Sequence, residues 1–184
     1  MTTQTTTIVP TGTWVVDAAH SKVGFSVKHM GISTVRGEFT EFEGSLEIGE
    51  DLSDTRIRGT VKTASVDTNE DQRDEHLRSP DFFEAEAHPG LSFESTRIEA
   101  IDDETFRITG DLALRGVTNE LTLTAEMNGI EADPNGGERV GLEVTGQLSR
   151  GDYGMKFNQA LGSGNMLVSD KVKLTLDIAA TKQS

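Results

Sequence analysis

Four histidines, His20, His29, His76 and His88, hold most of the acid–base capacity this chain has at neutral pH. No two of them share the i, i+4 spacing of a helical HExxH zinc site. There is no cysteine, which removes thiolate metal ligands, a thiol nucleophile and a disulfide frame. His20 and Ser21 are adjacent with Asp17 nearby, but neighbours on a strand point to opposite faces, so a nucleophile–base bond between them is not expected. No G-x-S-x-G elbow occurs. The stretch LGSGN (161–165) lacks the lysine of a phosphate loop and reads as a flexible turn, and DPNGGE (133–138) lacks the ligand spacing of a calcium loop. The many carboxylates form no pair whose spacing argues for catalysis. Asp152, between Arg150 and Tyr153 in SRGDYGM, reads as a residue that pins a loop. No catalytic residue, metal ligand or cofactor is therefore assigned. The histidines read as structural hydrogen-bonders, with His29 set apart because it stands in KHMG, where a strand with an apolar face runs out.

The elements that must position these residues are strands. Thr13–Asp17 is short and apolar, and Val23, Phe25 and Val27 alternate with Gly24, Ser26 and Lys28, the period of a half-buried strand. Arg36–Ile48 continues with a change of parity between Phe39 and Phe42, which predicts a bulge or bend. Alternation returns at Ile57–Thr63, Leu91–Ser95, Phe106–Leu114, Leu121–Met127, Val140–Leu148 and Val172–Ile178. A turn is predicted at 115–120, a hairpin loop at 133–138 and an irregular stretch over 149–167. About eight strands with turn chemistry between them and no long helical period predict an all-β antiparallel protein. Sandwich and closed barrel share this alternation. Long strands with one apolar face suit a barrel, filled by side chains or holding one ligand.

The totals bound the function. A chain of 184 residues supports one sizeable core. A formal net charge of −14 argues against nucleic acid as a partner. It also argues against general charge attraction to anionic lipid headgroups. Residues 1–12 read as a flexible Thr-rich leader and 13–181 as one domain. MTTQTTTIVPTG lacks the basic and apolar parts of a signal peptide, so a cytoplasmic location is expected, and no stretch is long and apolar enough for a membrane span.

One stretch departs from strand pattern: TNEDQRDEHLRSPDFF (68–83). It predicts a short helix near 69–78, with Thr68 as N-cap, an Asp74–Arg78 pair and a stop at Ser79 before Pro80. Such a helix is too short to stand alone. Leu77 and the pair Phe82–Phe83 would anchor it across one end of the barrel, leaving Arg73, Asp74 and His76 at the rim. It then reads as a lid over an apolar interior, or else as a solvated crossover closing an open end.

Several fragments in order, DAAHSKVGFSVKHMGISTVRGEF (17–39), SVDTNEDQRDEHLRSPDFFEAEAHPGLSFES (65–95), GDLALRGVTNELTL (110–123), LSRGDYGM (148–155) and VSDKVKLTLDI (168–178), resemble the YceI-like family over about residues 13–180. The resemblance implies a lipocalin-like, eight-stranded antiparallel β-barrel that binds an amphiphile with a long apolar tail, a polyisoprenoid or isoprenoid quinone. Residues carried over by motif are His29, Arg73, Asp74, His76, Arg150 and Asp152, as ligand contacts or as braces of the helix. Many relatives are exported behind a signal peptide, which this sequence does not show.

Physics suits such a guest, because a prenyl tail needs only shape and apolar walls with a few polar groups at one end. The candidate walls are Phe25, Val27, Phe39, Phe93, Leu112, Leu114, Leu123 and Met155, with Phe82, Arg73 and His76 at the capped end and His29 where its strand runs out. The same wall residues would equally fill a dry core. At about 0.8 kcal/mol per methylene, about fifteen carbons offer on the order of 12 kcal/mol before costs. The role expected is storage, transport or sequestration of a lipid, without catalysis. The alternatives are an enzyme on a prenyl-type substrate using His29 or His76, and a stress-response interaction module with a solid barrel. Pairing of two copies through edges or barrel faces is a further expectation.

Overall fold

The fold is described from a computed structural model, over residues 9–163 and 166–183. Eleven strand segments form one antiparallel sheet: β1 (Gly12–Val16), β2 (Lys22–His29), β3 (Ser33–Phe39), β4 (Phe42–Ile48), β5 (Arg56–Lys62), β6 (Val66–Asp67), β7 (Gly90–Ala100), β8 (Thr105–Leu114), β9 (Val117–Ala132), β10 (Glu138–Ser149) and β11 (Val168–Lys182). One α-helix, α1 (Asp71–Arg78), stands among them.

The eleven segments make eight staves. β1 and β2 lie along the same partner, β11, one at each end of it. β4 and β3 face them in turn, β4 on β1 and β3 on β2, and β5 and β6 repeat the arrangement against β4 and β3. Each pair is one bent stave, and β7 to β11 supply the other five. The ring closes where β1 pairs with both β4 and β11. The bend expected within 36–48 is a full break: Thr40 and Glu41 leave the ladder between β3 and β4. The turn expected over 115–120 is tighter, because Arg115 (φ 55°) and Gly116 (φ 75°) turn the chain in two residues. Val117–Glu120 then pair with Asp111–Leu114.

The two ends of the barrel differ. At one end Trp14, Val140 and Ala180 are fully buried and pack with Val9, Leu46 and Ile48 into a solid plug. Trp14 Nε1 donates to the Pro10 carbonyl at 3.0 Å, so the described end of the expected flexible leader is docked, while residues 1–8 lie outside the described residues. Arg139 ties this end together, donating to Asp17 at 2.9 Å and to Asp133 at 2.9 Å, while His20 Nδ1 sits 2.6 Å from Asp17. The Arg139 guanidinium, then the His20 ring, hold the Asp17 carboxyl down at about 2.

α1 caps the other end and corrects the expected helix. It begins at Asp71, and its N-cap is Glu70, whose carboxylate accepts from Arg73 N at 2.7 Å. Thr68 cannot serve as N-cap, because Asn69 takes a left-handed turn (φ 64°) between it and the helix. Thr68 instead gives its backbone N–H to the buried Asp74 at 2.8 Å and its hydroxyl to the same carboxylate. That occupies Asp74, so the expected Asp74–Arg78 pair does not form, and Arg78 donates to the carbonyls of Ala64 and Val66. The helix does stop at Ser79, as expected from Pro80.

Candidate ligand-binding site

Between plug and helix the barrel is hollow. The inward faces enclose a cavity of about 470 Å³, within the range of small-molecule sites. Each of the twelve candidate site residues borders it. Phe25, Val27 and His29 come from alternate positions of β2, Phe39 from β3, Phe93 from β7, Leu112 and Leu114 from β8 and Leu123 from β9. Met155 reaches inward from the irregular loop after β10 and is buried. Arg73, His76 and Phe82 close the capped end.

Glycines keep the lumen open. On the inner wall Gly37 stands opposite Phe25, and a Cβ there would come within 2.5 Å of the Phe25 ring. A Cβ on Gly110 would meet the Phe93 ring at 2.5 Å. Each ring therefore lies against the bare backbone of its neighbour instead of projecting into the centre.

The anchors of the helix act as expected. Leu77 packs between the cavity wall and a second buried cluster of Phe39, Val61 and Val66. The Phe83 ring meets Phe39 edge-on at 5.4 Å. His76 lies edge-on to Phe82 at 5.0 Å and to Phe157 at 4.8 Å, with its Nε2 2.9 Å from the Asp81 carboxylate.

The polar rim is occupied by structural bonds. Arg73 donates to the Thr68 hydroxyl and carbonyl, both at 2.7 Å. Arg150 is buried, lies 5.9 Å over the Phe82 ring and donates to the carbonyls of Met155 (2.6 Å), Ser169 (2.9 Å) and Val168 (3.2 Å). Burial lowers its pKa from the ordinary guanidinium value, and Asp170 acts against that. The loop-pinning side chain expected at Asp152 is Asp170, which accepts from Gly151 N at 3.0 Å and from the Ser149 hydroxyl. Asp152 contributes its backbone carbonyl, to Asn119. Of LGSGN, Gly164 and Asn165 lie outside the described residues. Among the described residues, no group of three or more His, Asp or Glu side chains converges as a metal site would. None of the described helices is long and apolar enough to cross a membrane.

Other wall residues were not singled out from sequence. Leu174, Leu176 and Ile178 line the lumen from β11, and their alternation carried the same signal as β2. Phe157 had no signal, because it stands in a segment without period. Arg115 donates to the carbonyls of Pro80 (2.7 Å) and Gly154 (3.0 Å), tying the foot of the capping segment to the barrel. Its role follows only from a turn that brings three distant segments together.

A closed antiparallel barrel, plugged at one end, capped by a helix at the other and hollow between, is a lipocalin-like barrel. The family model of the YceI-like domain matches residues 14–180. A UPF0312 protein of Staphylococcus aureus is 37% identical over 160 residues, covering 85% of this chain and 90% of its own length. Among solved structures, a Campylobacter jejuni YceI protein has a TM-score of 0.73 at 31% identity, over 91% of this chain and 96% of its own. The chain belongs to the YceI-like family. The fold is shared more distantly with a polyisoprenoid-binding domain from Saccharophagus degradans, at a TM-score of 0.67 and 14% identity over 92% of this chain and 98% of that one.

Proposed function

We propose that this protein holds one long-chain amphiphile, of the polyisoprenoid or isoprenoid quinone kind, and serves in its storage, transport or sequestration. The observation that carries the reading is the cavity of about 470 Å³. Its walls are mainly aliphatic and aromatic, and Arg73, His76 and Arg150 stand at the capped end. The likeness to a polyisoprenoid-binding domain supports the same ligand class. Binding energy comes from the tail, because the guanidiniums of Arg73 and Arg150 are already engaged by Thr68 and by backbone carbonyls. At the helix cap a neutral head therefore fits better than a pyrophosphate, since these two guanidiniums are not free to hold it.

Native mass spectrometry of the protein purified from cells, followed by solvent extraction, tests this. The expected result is a hydrophobic passenger, or uptake of added prenyl lipid by the stripped protein. An apo mass from several expression hosts together with no uptake would overturn the proposal.

A further inference from the structure

We propose that the capped end of the barrel docks on an anionic lipid bilayer through the tip of the β2–β3 hairpin and the outer face of β3, β2 and β11. The idea that the cavity exchanges its guest there rests on the function proposed above, whereas the docking itself does not.

Two independent features meet at this face. The first is apolar. Ile32, at the hairpin tip, is 80% exposed, the most exposed of the large hydrophobic residues, and Met166 is 46% exposed. Both belong to one rim, since the backbone of the hairpin bonds to the segment after Met166 (Met30 N to Leu167 O, 2.9 Å) and His29 pairs with Val168. Lys28, His29, Leu167 and Val168 of this rim also border the cavity. Ile32 and Met166 thus stand beside the capped end of the cavity, whereas the exposed Val15 and Ile101 lie apart from it.

The second feature is charge. In a chain of net charge −14, the outer face here carries Lys28, Arg36, Lys171 and Lys173. Lys173, Ser26 and Arg36 form one row across β11, β2 and β3. Among the described residues none of these four cations lies in a salt bridge, whereas Lys22 further down β2 pairs with Glu38 at 3.7 Å. Nearest the tip the acid is Asp170, which is bonded to Gly151 N and the Ser149 hydroxyl and feels the charges of Arg150 and Lys171, while Glu38 and Asp177 lie further down the face beside Lys22. Glu70, Asp71 and Glu75 belong to α1 and its cap, beyond β6 on the far edge of β3, and bound the basic face on that side.

A bare aliphatic tip flanked by lysines and opening onto an apolar cavity matches the interface of an anionic bilayer. The side chain of Ile32 reaches the acyl boundary, and the cations sit at headgroup level. Each cation close to such a surface is worth about fivefold in partitioning. The overall negative charge, which argues against general attraction, makes docking orientation-dependent: only this face can approach.

Co-sedimentation with vesicles tests the proposal, using phosphatidylglycerol and phosphatidylcholine in equal parts against phosphatidylcholine alone. The protein should sediment with the mixed vesicles only and be released by salt. The double variant Arg36→Gln/Lys173→Gln should lose about 25-fold in partitioning, and Ile32→Ser should lose it without changing the salt dependence. All these positions are exposed, so the variants should keep the wild-type Tm. Undiminished binding by the variants, equal binding to neutral vesicles, or self-association in sedimentation equilibrium that the same variants abolish without any vesicle binding would each overturn it. Native mass spectrometry of the same samples separates the two proposals: variants that keep their passenger yet fail to sediment support docking as a distinct property. A protein with no passenger that still sediments supports docking while removing the cargo.

Discussion

At the scale of single residues, several charged side chains of this protein hold backbone in place. Arg150 satisfies three carbonyls, that of Met155 in the loop after β10 and those of Val168 and Ser169 at the start of β11. Arg150→Leu should therefore cost about 2–4 kcal/mol in urea unfolding, since it leaves buried carbonyls without donors. At the plugged end, Asp17 is held at about 2 by Arg139 first and His20 second. A carboxyl lowered on folding contributes stability that is complete above its unfolded value, near 4, and is lost as pH falls towards about 2. Thermal unfolding from pH 5 to pH 2 should show that loss, and Asp17→Asn should flatten the profile in that window. Which acids would be held this way could not be read along the chain. Asp17 and Arg139 are joined by the pairing of β1 and β10 with β11, and Asp152 and Asp170 are both plausible pins until the loop is closed.

At the scale of elements, alternation did most of the predictive work. The inward parity of Val23, Phe25 and Val27 placed them correctly because one face of every stave is apolar and a shift by one residue would turn that face to water. Period says nothing about a two-residue turn or a helix cap. The helix start was misplaced because Thr68 satisfies a capping rule locally while its hydroxyl is engaged by Asp74 and Arg73 from the next turn. Glycine positions were visible in the sequence, but not their use as resting places for rings. Gly37→Val should push the Phe25 ring into the lumen and cost about 1–3 kcal/mol. It should also reduce lipid uptake per protein, measured by extraction of the loaded protein, more than the stability loss accounts for.

At the scale of the whole molecule, the division into a solid end and a hollow end sets what the barrel can take. With a share of about 30 Å³ for each water-sized group, a space of about 470 Å³ receives about fifteen heavy atoms, or about three isoprene units. Affinity for prenyl alcohols of increasing length should rise steeply to that length and then flatten, as titration by tryptophan-independent calorimetry would show. Continued steep gain with longer tails would mean that the capping segment yields to make room. The resemblance carried by the 17–39 and 65–95 fragments pointed to the barrel and to the class of guest proposed for it. Hollowness itself was not legible, because the same aliphatic residues would serve a filled core.

The hydrogen-bonded ring is complete without α1: β1 joins β4 to β11, and no stave depends on residues 71–78 for a partner. The segment carrying the helix is flanked by two left-handed residues that are not glycine, Asn69 at φ 64° and Glu84 at φ 48°. The architecture thus resembles a jar whose stopper was made separately from its glass. Withdrawing the stopper breaks the bonds that Thr68, Arg78 and Arg115 make with it or across it and the packing of Leu77, Phe82 and Phe83, while every strand of the ring keeps its partner.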